Sequence, residues 1–205
     1  KLPMELANSP DVFQEKRGKL FADLENVRAY IDDLLVITKG SWEDHLDELN
    51  EVLTRLTKAG LKVNIKKSFF GKHELEYLGY WISREGVQPL KKKVDAILKI
   101  AEPTTKKQVR SFIGMINYYR DMWKGRAGLL APLSELTSST AKWEWAEVHQ
   151  TSFRKIKELL SKEVLLTYPN FNEPFDVHTD ASDVQLGAVI SQRGAPIAFY
   201  SQKLS

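Results

Sequence analysis

Residues 30–33 read Tyr30-Ile31-Asp32-Asp33 between two apolar runs, with Val27, Ala29 and Ile31 on one side and Leu34 to Ile37 on the other. Apolar, β-favouring runs on both sides of a short polar tip predict a β-hairpin over roughly 27–38. That tip carries two adjacent carboxylates, which repel each other. Two readings fit the tetrapeptide, and taken alone it favours the first. Asp is an ordinary turn residue that tolerates the left-handed backbone short hairpins need. Alternatively, a divalent cation relieves the repulsion, and Mg²⁺ favours sites built from one or two carboxylates plus substrate phosphates.

The 205 residues suffice for one large domain or two small ones, and 42% apolar with 28% charged residues is a globular composition. The absence of cysteine excludes disulfides, zinc fingers and thiol nucleophiles. No apolar stretch approaches the length of a membrane span. The opening Lys1-Leu2-Pro3 is neither a signal peptide nor an initiator methionine, so the chain is expected to be a piece of something longer. The net charge of +3 conceals a division: residues 60–126 hold 15 Lys and Arg against 6 Asp and Glu, and the remainder 15 against 21. A basic middle between acidic flanks points to a polyanionic partner, or simply to solvated helix faces.

Apolar spacing predicts helices over 10–24 (weakened by Gly18), 42–59, 90–100, 105–122 and 146–162. The helix over 42–59 carries one stripe, Trp42, Leu46, Leu49, Leu53 and Leu56, between an N-cap at Ser41 and a stop at Gly60. Thr105 to Gln108 form a capping-box pattern. Strands are expected at 61–65, 77–83, 174–179, 185–191 and 195–201, and a looser stretch over 124–140. Mixed helix and strand with a basic helical middle favours two or three subdomains over one layered sandwich.

Five motifs then occur in order. Lys1 to Gln14 read KLPMELANSPDVFQ; Tyr30 to Asp33 follow; then come Leu78-Gly79-Tyr80, Ser111 to Tyr119 (SFIGMINYY), and Trp143-x-Trp145 with His178-Thr179-Asp180-Ala181-Ser182. Together they resemble the reverse transcriptase and ribonuclease H region of gypsy-type long-terminal-repeat retrotransposon polyproteins, over essentially the whole chain. The resemblance implies an α+β chain: a partial palm with an antiparallel sheet and helices (1–83), a basic helical thumb (84–126), a connecting helical segment (127–170) and the first strands of an RNase H-like domain (171–205). It implies RNA-directed DNA polymerase chemistry, with nucleotidyl transfer by two metal ions, Mg²⁺ or Mn²⁺, in the complete enzyme. Asp32 and Asp33 match the metal-binding hairpin, and Asp180 the first metal-binding carboxylate of ribonuclease H. Tyr30, Met4, Gly79 and Tyr80 match positions that meet primer or incoming nucleotide. Lys106, Lys107, Arg110, Gly114 and Tyr118 match the thumb that holds a duplex. One of Lys62, Lys66 and Lys67 is placed to meet pyrophosphate. The partners implied are an RNA or DNA template–primer duplex and a deoxynucleoside triphosphate, in an intracellular setting. Oligomers through exposed sheet edges are a further expectation.

Three departures qualify the resemblance. The palm's other metal-binding aspartate belongs upstream of Leu2. Glu5 stands where the family has glycine, adding bulk and negative charge beside a triphosphate. The remaining ribonuclease H carboxylates belong beyond Ser205. The rival expectation is a non-catalytic nucleic-acid-binding or protein-interaction fragment, degenerate or domesticated. The isolated chain is therefore expected to give no product in a primer-extension assay with Mg²⁺, whereas extension abolished by Asp32→Ala would reveal a complete site.

Overall fold

The computed structural model describes residues 6–162, 164–183 and 185–204. Met4 and Glu5 lie outside them. The architecture is mixed: six α-helices and three small antiparallel sheets among the described residues. The chain divides into two compact units, Lys1–Gly71 and Lys72–Ser205. No helix among the described residues is long and apolar enough to cross a membrane.

The first unit opens with α1 (Ser9–Leu20), where Pro10 stands in the first turn, a position that needs no N–H. Strands β1 (Val27–Tyr30) and β2 (Asp33–Val36) pair antiparallel, with Tyr30 opposite Asp33, leaving Ile31 and Asp32 as a two-residue turn. Helix α2 (Trp42–Lys58) begins where Ser41 predicts. The Ser41 hydroxyl accepts from the Asp44 amide at 3.1 Å while the Asp44 carboxylate accepts from the Ser41 amide at 2.7 Å, a complete capping box. Val52 and Leu56 of α2 bury against Phe21 and Val27, with Leu20, Leu24, Ala29, Leu34, Val36 and Leu61 around them. The stripe expected from the sequence is only partly core. Leu56 is buried, but Leu46 and Leu53 are exposed and Trp42 is 56% exposed.

Residues 61–65 alternate like a strand yet form none. Ile65 instead opens a single 3₁₀ turn (Ile65–Lys67) and is 75% exposed. Alternation makes a strand only where a neighbour accepts its hydrogen bonds, and no partner strand pairs with this segment among the described residues.

The second unit begins with a meander of β3 (Leu75–Tyr77), β4 (Tyr80–Ile82) and β5 (Val87–Pro89). The stretch expected as one strand is thus two, folded at Leu78-Gly79. Both turn residues have positive φ, 46° and 75°, the sign pattern of a type I′ turn. Next come α3 (Lys91–Leu98), α4 (Lys106–Asn117), α5 (Arg126–Leu136) and α6 (Glu147–Ser161). Helix α4 is capped by the Thr105 hydroxyl accepting from the Gln108 amide at 3.3 Å. The Gln108 side chain reaches one residue further back than a capping box requires, accepting from the Thr104 amide at 2.6 Å.

Helix α5 replaces the loose stretch expected over 124–140. The helix holds Gly128 and Pro132, and Pro132 cannot donate to the Gly128 carbonyl one turn earlier. Burial overrides that local cost: Leu130, Leu133 and Leu136 enter a core with Val109, Phe112 and Ile116 of α4 and Phe153, Ile156 and Leu160 of α6. The Phe112 and Phe153 rings lie 4.5 Å apart, within the range that favours aromatic pairs.

The end of α4 secures the meander. The Tyr119 hydroxyl donates to the Gly79 carbonyl at 3.0 Å, and the Tyr118 hydroxyl donates to that of Leu78. In return the Tyr80 hydroxyl donates to the Tyr118 carbonyl at 2.9 Å. A side chain at Gly79 would bring its Cβ within 3.1 Å of the Tyr118 ring, so close approach as well as positive φ demands glycine there.

Strands β6 (Asp176–Ala181), β7 (Gln185–Gln192) and β8 (Ala195–Lys203) complete the unit as an antiparallel sheet in sequential order. Its β7 and β8 strands cap α5: the Ala127 amide donates to the Ser201 hydroxyl at 2.9 Å and the Gly128 amide to the Gln185 side chain at 2.7 Å. These are first-turn donors that the helix itself leaves unpaired.

Two outcomes follow from this packing. Phe112 is fully buried, so Phe112→Ala is expected to cost about 3–5 kcal/mol in urea unfolding followed by tryptophan fluorescence. Burial, with the neighbouring Tyr118 and Tyr80 phenols, pushes the Tyr119 phenol up to about 12. An unfolded tyrosine ionises near pH 10, so Tyr119 contributes stability that is whole below about pH 10 and is lost as pH rises towards about 12. Alkaline unfolding followed by circular dichroism is expected to steepen in that window, and Tyr119→Phe to flatten it.

Candidate polymerase hairpin and nucleic-acid face

The tip of the β1–β2 hairpin is built around an unfavourable residue. Ile31 has φ of +43°, a left-handed conformation that β-branched side chains rarely adopt. The sequence pointed to Asp as the residue suited to that region; the structure puts Ile31 there instead. Such residues cost about 1–3 kcal/mol and persist where their surroundings over-determine them. Both backbone groups of Ile31 are held from α1. Its amide donates to the Gln14 side-chain oxygen at 2.6 Å, and its carbonyl accepts from the Arg17 guanidinium. Gln14 also donates to the Ala29 carbonyl at 2.9 Å. Gln14 and Arg17 are three residues apart, so they share one helix face.

This arrangement leaves the chemistry-bearing groups in the open. Asp32 and Asp33 are exposed, and Tyr30 is 50% exposed. The two carboxylates supply hard oxygen donors of the kind Mg²⁺ takes. Among the described residues no group of three or more His, Cys, Asp or Glu side chains gathers as a potential metal cage. The hairpin tip thus offers two adjacent exposed carboxylates.

The expected nucleic-acid residues of the second unit fall into two groups. Lys106 donates to the Ser138 carbonyl at 2.7 Å and to that of Ala141, and Arg110 donates to the Thr137 carbonyl at 2.6 Å. These cations therefore face carbonyls at and just beyond the end of α5, where cations are favourable. Lys107 is exposed. Gly114 interrupts α4 on an exposed side, and a Cβ added there would meet nothing within 4 Å. Tyr118 stays 51% exposed while stacking on Tyr80 with ring centroids 5.5 Å apart; the adjacent Tyr119 is buried. One tyrosine of the pair is core and the other surface. Gly79 and Tyr80 lie at the turn this pair clasps. Asp180 is exposed on β6, opposite Gly187 of β7, with His178 on the same face two residues earlier.

Sequence reasoning missed three contributors. Gln14 was read only as the last residue of the first motif, and Arg17 lay in a segment read only for its apolar spacing. The signal was there: Arg17 falls four residues after Phe13 and three before Leu20, a cation in the middle of the apolar stripe. Arg126 was counted only as charge. It donates to the Asn117 side chain at 2.7 Å and the Ser201 carbonyl at 3.1 Å, and burial, then the charge of Arg120, lowers its pKa. No local pattern in the sequence marks that contact, which spans 75 residues.

Residues 1–82 match the family described as reverse transcriptase (RNA-dependent DNA polymerase), and residues 145–205 match the RNase H-like domain found in reverse transcriptase. The chain is 33% identical over 208 residues to the retrovirus-related Pol polyprotein from transposon 297 of Drosophila melanogaster, covering all of this chain and 20% of that protein. It is also 33% identical over 224 residues to the Pol polyprotein from transposon gypsy of the same organism, covering all of this chain and 21% of that protein. The chain thus spans about a fifth of the length of these relatives. Its structure is similar to the foamy viral protease-reverse transcriptase in complex with RNA/DNA hybrid, with a TM-score of 0.84 at 26% identity, covering all of this chain and 28% of that one. The chain therefore carries a reverse transcriptase region over residues 1–82 and an RNase H-like region over residues 145–205, and it is related along its whole length to retrotransposon Pol polyproteins.

Proposed function

We propose that this chain contributes the metal-binding hairpin and the duplex-holding surface of an RNA-directed DNA polymerase, followed by the opening of its RNase H-like domain. The observation that carries this reading is the hairpin itself: a strained turn held from α1, presenting Asp32 and Asp33 to solvent. A bound Mg²⁺ or Mn²⁺ would supply charge neutralisation at the reacting phosphate. Asp32 is assigned as its ligand and Asp33 as electrostatic support, with Asp180 in the corresponding role for ribonuclease H. Tyr30 and Met4 are assigned to primer end and incoming nucleotide, and Gly79 and Tyr80 to the primer strand.

The partner proposed is an RNA/DNA hybrid or DNA duplex of any sequence. That suits Lys107 as a phosphate contact, Gly114 as a point of close backbone approach, and Tyr118 as a flat exposed ring. Lys106 and Arg110 serve the same surface while bracing the end of α5. A polymerase must accept every template, and phosphate attraction is independent of sequence.

A non-catalytic binding role is the second reading. Both readings require duplex affinity, which a protein-interaction role does not.

Binding of a labelled RNA/DNA hybrid across a salt series is expected to weaken steeply with salt. Lys107→Ala is expected to reduce the log–log slope by about 1. Gly114→Ala is expected to stabilise the fold by about 1 kcal/mol, since glycine is unfavourable inside a helix, yet to weaken hybrid binding. Salt-insensitive or undetectable binding would favour the interaction role.

A further inference from the structure

Arg17 is 5% exposed, and its guanidinium reaches the carbonyl of Ile31 at the hairpin tip. Taking a guanidinium out of water is costly unless it is paired. Its guanidinium carbon also lies over the Phe13 ring, 5.5 Å from the ring centroid. The chain thus maintains a buried cation whose hydrogen bond ends one residue before Asp32. A methionine would fill a similar volume beside Phe13 without that desolvation cost.

The position of the contact is informative. Left-handed Ile31 sets the direction in which Asp32 and Asp33 leave the turn. Gln14 holds its amide, and Arg17 holds its carbonyl. With either half missing, the peptide is free to flip towards ordinary backbone angles, and the two carboxylates swing with it.

We infer that Arg17 is a positioning residue for the Asp32–Asp33 pair: it pins the Ile31 carbonyl and so fixes the backbone from which both carboxylates leave the turn. This rests on reading the hairpin as a metal-binding element. Arg17 touches neither metal nor substrate, so its effect is local order in the turn.

The test is amide hydrogen exchange by NMR on the ¹⁵N-labelled full chain, unsubstituted and as R17M and R17K. In R17M the Ile31 amide is expected to exchange roughly tenfold faster, while Val27, Val52 and Leu56 keep their protection. R17K retains the charge and one donor and is expected to lie between the two. An Ile31 rate unchanged in R17M, or a rate raised equally throughout residues 6–71, would overturn the proposal, the latter because it marks a merely structural side chain. If R17M does not fold, R17K is read alone against the unsubstituted chain: selective loss at Ile31 supports the clamp, and no change overturns it. Adding Mn²⁺ to the unsubstituted chain separates the two levels. Broadening at Asp32 and Asp33 is expected. Its absence would overturn the metal reading of the hairpin, with the exchange comparison still deciding whether Arg17 holds the turn.

Discussion

A lone two-stranded hairpin is marginal in water, and sheets of very short strands need packing against a helix. The β1–β2 hairpin has four residues per strand, and β3, β4 and β5 have three each. Each sheet is stabilised where a helix grips it or is gripped by it. Gln14 and Arg17 of α1 hold the Ile31 turn. Tyr118 and Tyr119, at the end of α4, hold the Leu78-Gly79 turn. Ser201 and Gln185 reverse the relation, because there the sheet supplies acceptors to the amides that open α5. In all three cases the polar contact falls at a turn or a helix terminus, where backbone groups lack a regular partner. The residues assigned to chemistry or to nucleic acid concentrate at two of those junctions. A turn held from outside can keep backbone angles that would otherwise relax, and so can keep its side chains aimed.

The charge pattern has a more divided meaning than composition implies. The excess of Lys and Arg in residues 60–126 reads as one basic surface, yet its members differ in employment. Lys106 and Arg110 spend donors on carbonyls at and beyond the end of α5, Arg126 is drawn inside to join Asn117 to β8, and Lys107 faces solvent. A cation donating to neutral carbonyls keeps its full charge, so Lys106 and Arg110 still contribute to the field felt by a polyanion. What they lose is freedom to reorganise around a phosphate. Sequence counting weighs all these cations alike; burial and hydrogen bonding distinguish them.

Periodicity, capping and motif order made much of the chain legible before any coordinates. The hairpin at Tyr30 to Asp33, the start of α2 at Ser41, the α4 and α6 helices and the three closing strands all follow from local signals, because each is specified by residues within one or two turns of itself. The failures share a cause. Residues 61–65 alternate correctly but have no neighbouring strand. Residues 126–136 contain Gly128 and Pro132 but bury Leu130, Leu133 and Leu136. The stripe on α2 looked like a core face, yet Trp42 and Leu46 remain open. Whether an apolar residue is buried depends on what lies opposite it, which local sequence does not contain.

The sequence by itself determined the family motifs, most of the helices and the identity of the paired carboxylates, because these depend on residue types at fixed spacings. The tertiary structure alone decided how the carboxylates are presented. It placed the left-handed turn on Ile31 instead of an aspartate, brought Gln14 and Arg17 across from α1 to hold it, and separated buried Tyr119 from exposed Tyr118. Those outcomes arise from contacts between residues 14 to 40 positions apart, where chain spacing sets no distance and only packing does.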